Sequence, residues 1–333
     1  MAYALDPQLL QEITATLASG VMTLPEPAAR DDWKTLRANG EAALATIEAT
    51  LPEHPSVSRV AHSAISHDGA PVALRWYAPQ GHDSSDSANP GGRPPEPPGK
   101  GPAAVYLHGG GMITGSVELY DRWVAAYVAD GGVPMLAVDY RRAPEHPHPS
   151  PVEDSYAGLA WLAAHAGELS IDAGRIALMG DSGGGGLAAA AALLARDRGL
   201  AVARQILIYP MLDDRTTVPD PALVPFAGWS YDDNYTGWHA LLGDNIGTEG
   251  VPGSAAPARA ADLAGLPPVY LEVGELDIFR NEDIEYARRV AAAGTSVELH
   301  VHPSCPHGFD RFARDADVVR RSRADRLRAL RSY

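Results

Sequence analysis

From residue 102 onward, short apolar runs alternate with stretches of helical periodicity. The runs are Ala103–Leu107, Val133–Val138, Arg175–Met179, Gln205–Tyr209, Val269–Val273 and Val297–Val301. Between them lie Tyr120–Val128, Val152–Ala164, Gly183–Arg196 and Glu282–Ala293, and a last helical stretch runs from Asp315 to about Leu330. Parallel strands need long crossovers, and those crossovers cover both faces of the sheet with helices. The alternation predicts an α/β fold: a mainly parallel central sheet flanked by helices.

The segments before and within this pattern differ from it. Leu9, Leu10, Ile13 and Leu17 recur at helical spacing after Asp6-Pro7, an N-cap followed by proline at the first helical position. A second helical stretch runs from about Arg30 to Ala49. Val57–Ile65 and Val72–Tyr77 flank His67-Asp68-Gly69, a hairpin signal. Gln80–Gly101 is rich in Gly, Pro, Ser and Asp and is expected to be a long exposed loop. Leu212–Gly253 carries Trp229, Tyr231, Tyr235 and Trp238 without a strand pattern, which makes it a candidate lid.

Charge narrows the function classes. Twenty-seven basic residues against 42 acidic ones leave a formal charge of −15. Such a surface repels phosphate backbones and anionic membranes, so neither a nucleic-acid nor a membrane partner is expected. The N-terminal stretch lacks both a basic cluster and a long apolar run, and no apolar stretch reaches the length of about 18 residues that a membrane helix needs. The expectation is a soluble cytoplasmic protein. A single cysteine, Cys305, allows neither an internal disulfide nor a multi-cysteine metal site. Ser304-Cys305-Pro306 is neither an elbow nor a helix start, so Cys305 reads as a small semi-buried side chain. Of the twelve histidines, His146 and His148 form with Glu145 the tightest group. Pro144, Pro147, Pro149 and Pro151 interleave them, which points to a structured turn, and no metal or organic cofactor is expected.

The chemistry is carried by Gly180-Asp181-Ser182-Gly183-Gly184. It follows the apolar run ending at Met179 and precedes a helical stretch, the strand–turn–helix setting of a nucleophile elbow. The hydroxyl then lies at a helix N-terminus, where the dipole favours developing negative charge. His108-Gly109-Gly110-Gly111 follows the run Ala103–Leu107. Consecutive glycines let backbone N–H groups approach a substrate oxygen, and with the Gly183 amide they can form an oxyanion hole. His108 itself reads as an orienting residue. A serine needs a base, and His307 follows the last apolar run. Asp277 lies where the run Val269–Val273 gives way to a loop, in position to fix the imidazole tautomer. Glu275 and Asp283 are rival acids; the first follows its strand too closely and the second falls within a helical stretch.

Together these motifs resemble the bacterial hormone-sensitive-lipase-like esterases, the family IV carboxylesterases. The resemblance rests on His108-Gly-Gly-Gly111, Asp139-Tyr-Arg-Arg-Ala-Pro-Glu145, Gly180-Asp-Ser-Gly-Gly184, Asp277-Ile-Phe-Arg280 and Pro306-His-Gly-Phe309, in that order. It implies the α/β-hydrolase fold with a helical cap, and roles for Ser182 as nucleophile, Asp277 as acid and His307 as base. Gly110, Gly111 and Gly183 would supply the oxyanion amides. It also implies a division of the chain: cap helices in 1–50, a first catalytic part in 51–211 with its loop 80–101, a cap insert in 212–253 and a second catalytic part in 254–333. Gly183 stands where alanine is common, Gly186 where asparagine is frequent, Ile278-Phe279 where Pro-Leu is usual, and Asn281 where a second aspartate is usual. Arg142 replaces a usual leucine, for which the sequence offers no functional account.

The expected function is hydrolysis of short- to medium-chain carboxylic esters through an acyl-serine, with a small-molecule ester as substrate. The same triad would serve an amidase, an arylformamidase or a lactone hydrolase. A non-catalytic small-molecule receptor would be expected to lack the histidine, and His307 is present. Phe226, Trp229, Tyr231 and Trp238, with Tyr235 beside them, are expected to wall the substrate pocket. Val297–Val301 is expected at an open sheet edge, which a homodimer is one way to cover.

Overall fold

A computed structural model describes residues 3–20, 26–82 and 100–333. Most of the expected loop 80–101 lies outside the described residues. The elements in chain order are α1 (Pro7–Ala18), α2 (Trp33–Thr50), β1 (Val57–Ile65), β2 (Pro71–Pro79), β3 (Gly101–Leu107), α3 (Asp121–Gly131), β4 (Met135–Asp139) and α4 (Ser150–Ala164). There follow β5 (Ile171–Asp181), α5 (Gly183–Asp197), β6 (Arg204–Ile208), α6 (Tyr231–Leu242), β7 (Val269–Gly274), α7 (Arg280–Ala292), β8 (Val297–His302), α8 (Phe309–Phe312) and α9 (Asp317–Leu330). The strands form one sheet in the order β1-β2-β4-β3-β5-β6-β7-β8. β2 is antiparallel to both β1 and β4, and every other pairing is parallel.

Side chains alternate across each strand, so the sheet divides the core in two. Ala103, Val105 and Leu107 face one apolar layer, while Ala104 and Tyr106 face the other. α5 lies in the first layer and is almost entirely buried. Its run of glycines and alanines lets backbone approach backbone. A methyl group at Gly180 or Gly184 would run into main-chain atoms of the neighbouring segments.

Local signals in the chain account for the element ends. Asp6 accepts from the amides of Gln8 and Leu9, capping α1 with proline next in line. Asp32 caps α2 by accepting from Thr35 at 3.1 Å. Gly69, at φ 83°, makes the turn between β1 and β2. β4 begins later than its apolar run because Pro134 cannot donate to the ladder; its carbonyl instead accepts from Ala104 at 3.0 Å. β8 is an outer strand, with Leu299 and Val301 each 37% exposed. Among the described residues no helix is long and apolar enough to cross a membrane.

The consequence for function is one of direction. β3, β5, β7 and β8 are parallel, so the loops after them emerge on one edge of the sheet. This is where open α/β sheets place their sites. His108–Gly111, Ser182, Asp277 and His307 all lie in these loops. The N-terminal segment and α6 are tied together near this edge: Asp31 N donates to Thr236 Oγ1 at 2.8 Å, and His239 Nδ1 lies 2.5 Å from Asp31 Oδ1. α2 is bolted on through Arg37, whose guanidinium donates to Ile113 O at 2.6 Å, Ala143 O at 2.8 Å and Glu145. Arg142 pairs with Glu41 at 2.7 Å, which gives that departure from the family pattern a structural role in seating α2.

Candidate active site

Ser182 occupies the turn between β5 and α5 at φ 54° and ψ −122°. A non-glycine residue in this region is strained and persists only when its surroundings hold it there. Here the backbone is held on two sides: Ser182 N donates to Ile208 O at 2.9 Å, and Ser182 O accepts from Met211 N at 3.0 Å. The strain turns the side chain out at the head of α5.

His307 Nε2 lies 2.9 Å from Ser182 Oγ, and His307 Nδ1 lies 2.7 Å from Asp277 Oδ2. Asp277 is fully buried, and its other oxygen accepts from Phe279 N at 2.9 Å. The imidazole is gripped edge-on by two rings, Tyr209 at 4.9 Å and Phe279 at 5.1 Å. A buried carboxylate on Nδ1 fixes the tautomer that leaves Nε2 free to take a proton from the serine.

Gly110 and Gly111 have φ values of 117° and 57°, which L side chains rarely adopt. They reverse the chain so that the Gly111 amide approaches Gly183. A methyl group at Gly183 would stand 3.0 Å from Gly111 N. Among the described residues the amides of Gly110, Gly111 and Gly183 donate no hydrogen bond. His108 is buried beneath them. Its Nδ1 lies 2.8 Å from Gly109 O, and its ring stacks on Tyr140 at 4.3 Å. Burial pushes its pKa down. Tyr140 Oη in turn donates to His108 O at 2.7 Å.

The rival acids have other partners. Glu275 accepts from Ser304 N at 2.9 Å and so anchors the segment leading to His307. Asp283 is fully buried on α7, neither of its oxygens has a hydrogen-bond partner among the described residues, and burial together with the nearby Glu282 and Asp277 pushes its pKa well up. Glu282 accepts from Leu212 N at 2.7 Å and Asp213 N at 3.1 Å, tying α7 to the segment after β6. Cys305 is buried, with its thiol pushed up to about 12 by burial, which suits packing and not nucleophilic work.

The aromatic residues of 212–253 separate by position. Trp229 reaches the glycine loop: a methyl group at Gly111 would lie 2.5 Å from its Cη2. Its Nε1 is 3.4 Å from Asn234 Oδ1, and Asn234 in turn donates to Thr216 O at 2.6 Å. Tyr231 is buried and Phe226 half-buried. Tyr235 turns toward the N-terminal segment, with Arg30 3.8 Å above its ring and His239 stacked on it. Trp238 is sealed in the core.

A cavity of about 800 Å³ opens elsewhere, between Asp31, Trp33, Pro144, His148, Leu241 and Val251; none of Ser182, Asp277 and His307 lines it. Glu145, of the proline-rich turn, is held at about 2 by hydrogen bonds from Arg37. Glu298, His300 and Asp325 approach one another at the β8 edge, but Arg328 and Arg204 already engage Glu298.

A family pattern for the alpha/beta hydrolase fold matches residues 104–311. The chain is 34% identical over 266 residues to esterase LipI of Mycobacterium tuberculosis, covering 79% of this chain and 78% of the relative. It is 31% identical over 252 residues to an ethyl acetate hydrolase of Pseudomonas putida, covering 75% of each. A solved structure of a bacterial heroin esterase superposes with a TM-score of 0.84 at 37% identity, over 98% of this chain and 97% of that one.

Proposed function

The chain belongs to the hormone-sensitive-lipase-like esterases of the alpha/beta hydrolase fold and is a carboxylic ester hydrolase; from that premise we propose that it works through an acyl-serine formed on Ser182. The observation that carries this reading is the unbroken chain Ser182 Oγ, His307 Nε2, His307 Nδ1, Asp277 Oδ2, with steps of 2.9 and 2.7 Å.

Ser182 Oγ attacks the ester carbonyl carbon while His307 Nε2 takes its proton. The carbonyl oxygen becomes an oxyanion facing the amides of Gly110, Gly111 and Gly183. One such donor is worth about 10²–10³ in rate. As the tetrahedral intermediate collapses, the bond to the alcohol oxygen breaks and His307 returns its proton to that oxygen. Water then repeats the attack on the acyl-serine, again giving its proton to His307, and the carboxylic acid leaves as Ser182 recovers its hydrogen. Asp277 keeps its hydrogen bond to Nδ1 and stabilises the imidazolium between the two half-reactions.

The substrates are small esters with short to medium acyl chains. Trp229 supports this: its ring lies against Gly111 and limits the space beside the oxyanion amides. The relative that hydrolyses ethyl acetate points the same way. The segment 212–253, with the N-terminal segment that α6 holds, is the cap over this space. Incubation with a fluorophosphonate, followed by peptide mass mapping, tests the assignment. The account requires one adduct, on the peptide bearing Ser182. An active enzyme that stays unlabelled there would sink it.

A further inference from the structure

The segment carrying the base cannot place itself. α8 spans four residues, far below the length at which a helix is stable alone in water. Its position depends on what its side chains reach, and two of them reach buried charges. Asp310 accepts from Tyr209 Oη at 2.8 Å and pairs with the buried Arg326. Arg311 crosses to the nucleophile elbow. Its Nη2 donates to Asp181 Oδ2 at 2.5 Å and to Tyr120 Oη at 3.0 Å. Its guanidinium lies 4.6 Å from the centre of the Tyr120 ring and 4.4 Å from that of Trp123.

Asp181 immediately precedes Ser182. It also accepts from Tyr106 Oη at 2.7 Å and from Tyr120 Oη at 3.1 Å. Gly109 lies so close that a methyl group there would collide with its carboxylate. The glycine loop, the nucleophile elbow and the base segment therefore meet at one carboxylate, and a single guanidinium joins the last two.

We propose that Arg311 is a positioning residue for ester hydrolysis: its ion pair with Asp181 holds the His307 segment against the elbow and cancels the elbow's negative charge. The proposal rests on Ser182 and His307 acting as nucleophile and base. Left alone, a buried carboxylate beside the nucleophile would oppose a developing oxyanion and favour the imidazolium over the neutral base. An arginine keeps its proton at every working pH, so the cancellation does not titrate away.

The other titratable groups packed around the pair are Tyr106 of β3, His108 of the glycine loop, Tyr120 before α3, Tyr140 after β4, Tyr209 after β6, and Asp310, which shares Arg326 with Glu272. Around His307 itself stand Asp277 and Tyr209. Burial pushes all four tyrosines up and His108 down, so these five groups are uncharged near neutral pH.

The test is the pH dependence of kcat/KM in wild type, Arg311→Lys, Arg311→Met, Asp181→Asn and the double variant Asp181→Asn/Arg311→Met. Arg311→Met leaves the carboxylate uncompensated, so the acid limb moves to higher pH. Asp181→Asn leaves the guanidinium uncompensated, so the limb moves to lower pH. Each shift is roughly one unit, the size Coulomb's law gives for charges on the order of 10 Å apart at an effective dielectric of about 20. The double variant returns the limb close to wild type, and Arg311→Lys keeps it there.

In Arg311→Met, kcat falls about 10- to 100-fold with KM nearly unchanged, because a displaced base is lost from the chemical step. A limb that stays put in both single variants overturns the proposal whatever happens to kcat, since a merely structural pair produces no shifts of opposite sign. Should Arg311→Met fail to fold, the downward shift in the near-isosteric Asp181→Asn decides alone. Full activity in Ser182→Ala would instead overturn the reading on which the proposal rests.

Discussion

The six-membered ring of Trp229 lies against the backbone of Gly111, so close that even a methyl group at Gly111 would stand 2.5 Å from Trp229 Cη2. On the proposed mechanism, Trp229 would limit acyl length beside the amides of Gly110 and Gly111. Trp238, nine residues on, is fully buried in the core and touches the problem differently. Trp229→Ala is expected to raise the ratio of kcat/KM for p-nitrophenyl octanoate over butyrate by about tenfold, with a small change in melting temperature. Trp238→Ala is expected to cost about 3–5 kcal/mol of stability and leave that ratio unchanged. A chain-length profile that responds to Trp238 and ignores Trp229 would contradict this division.

Asp277 and Glu275 lie two residues apart, yet they face different partners. Asp277 meets the imidazole at 2.7 Å, while Glu275 accepts from Ser304 N at 2.9 Å. Asp277→Asn should lower kcat by about 10⁴ with little effect on KM, since it disturbs the tautomer and charge of the base. Glu275→Gln keeps an acceptor for Ser304 and should cost less than about tenfold. Steady-state kinetics on p-nitrophenyl butyrate separates the two, and a reversed order would make Glu275 the triad acid.

Asp283 is buried on α7 with no hydrogen-bond partner among the described residues, and burial with Glu282 and Asp277 close by raises its pKa well above 3.8. The native state therefore holds a proton that the unfolded chain gives up. Stability from this site is intact below about pH 4 and is lost as pH rises from the unfolded value toward the folded one. Asp283→Asn removes the titrating group while keeping its shape. The variant should melt a few degrees higher than wild type at pH 7, with the gap narrowing toward pH 4. A variant less stable than wild type at pH 7 would show that Asp283 holds a charge that the fold uses.

Much of this site can be read from the chain because its parts are local. A strand, a glycine-flanked serine and a helix follow one another without a break from Ile171 to Asp197, so Ser182 and its amide neighbours stand out in the motif alone. The order of Asp277 and His307 after the last two strands carries equal weight. What stays hidden depends on contacts between distant segments. Arg311 and Asp181 are 130 positions apart, and neither the composition nor the periodicity of α8 hints that they touch. The aromatic residues of 212–253 look alike in sequence. Only the packing of α6 sends Trp229 to the glycine loop, Tyr235 to Arg30 and Trp238 into the core. Arg142 looks unexplained until α2 folds back and brings Glu41 to it.

The central claim is that Ser182 forms the acyl-enzyme, and its removal tests this most directly. Ser182→Ala takes away the hydroxyl 2.9 Å from His307 Nε2 and leaves the elbow's backbone bonds to Ile208 and Met211 in place. The measurement is kcat for p-nitrophenyl butyrate, with circular dichroism and melting temperature to establish that the variant is folded. The account predicts a folded protein whose kcat has fallen by about 10⁴–10⁶. A folded Ser182→Ala protein that keeps more than a few per cent of wild-type kcat would contradict it.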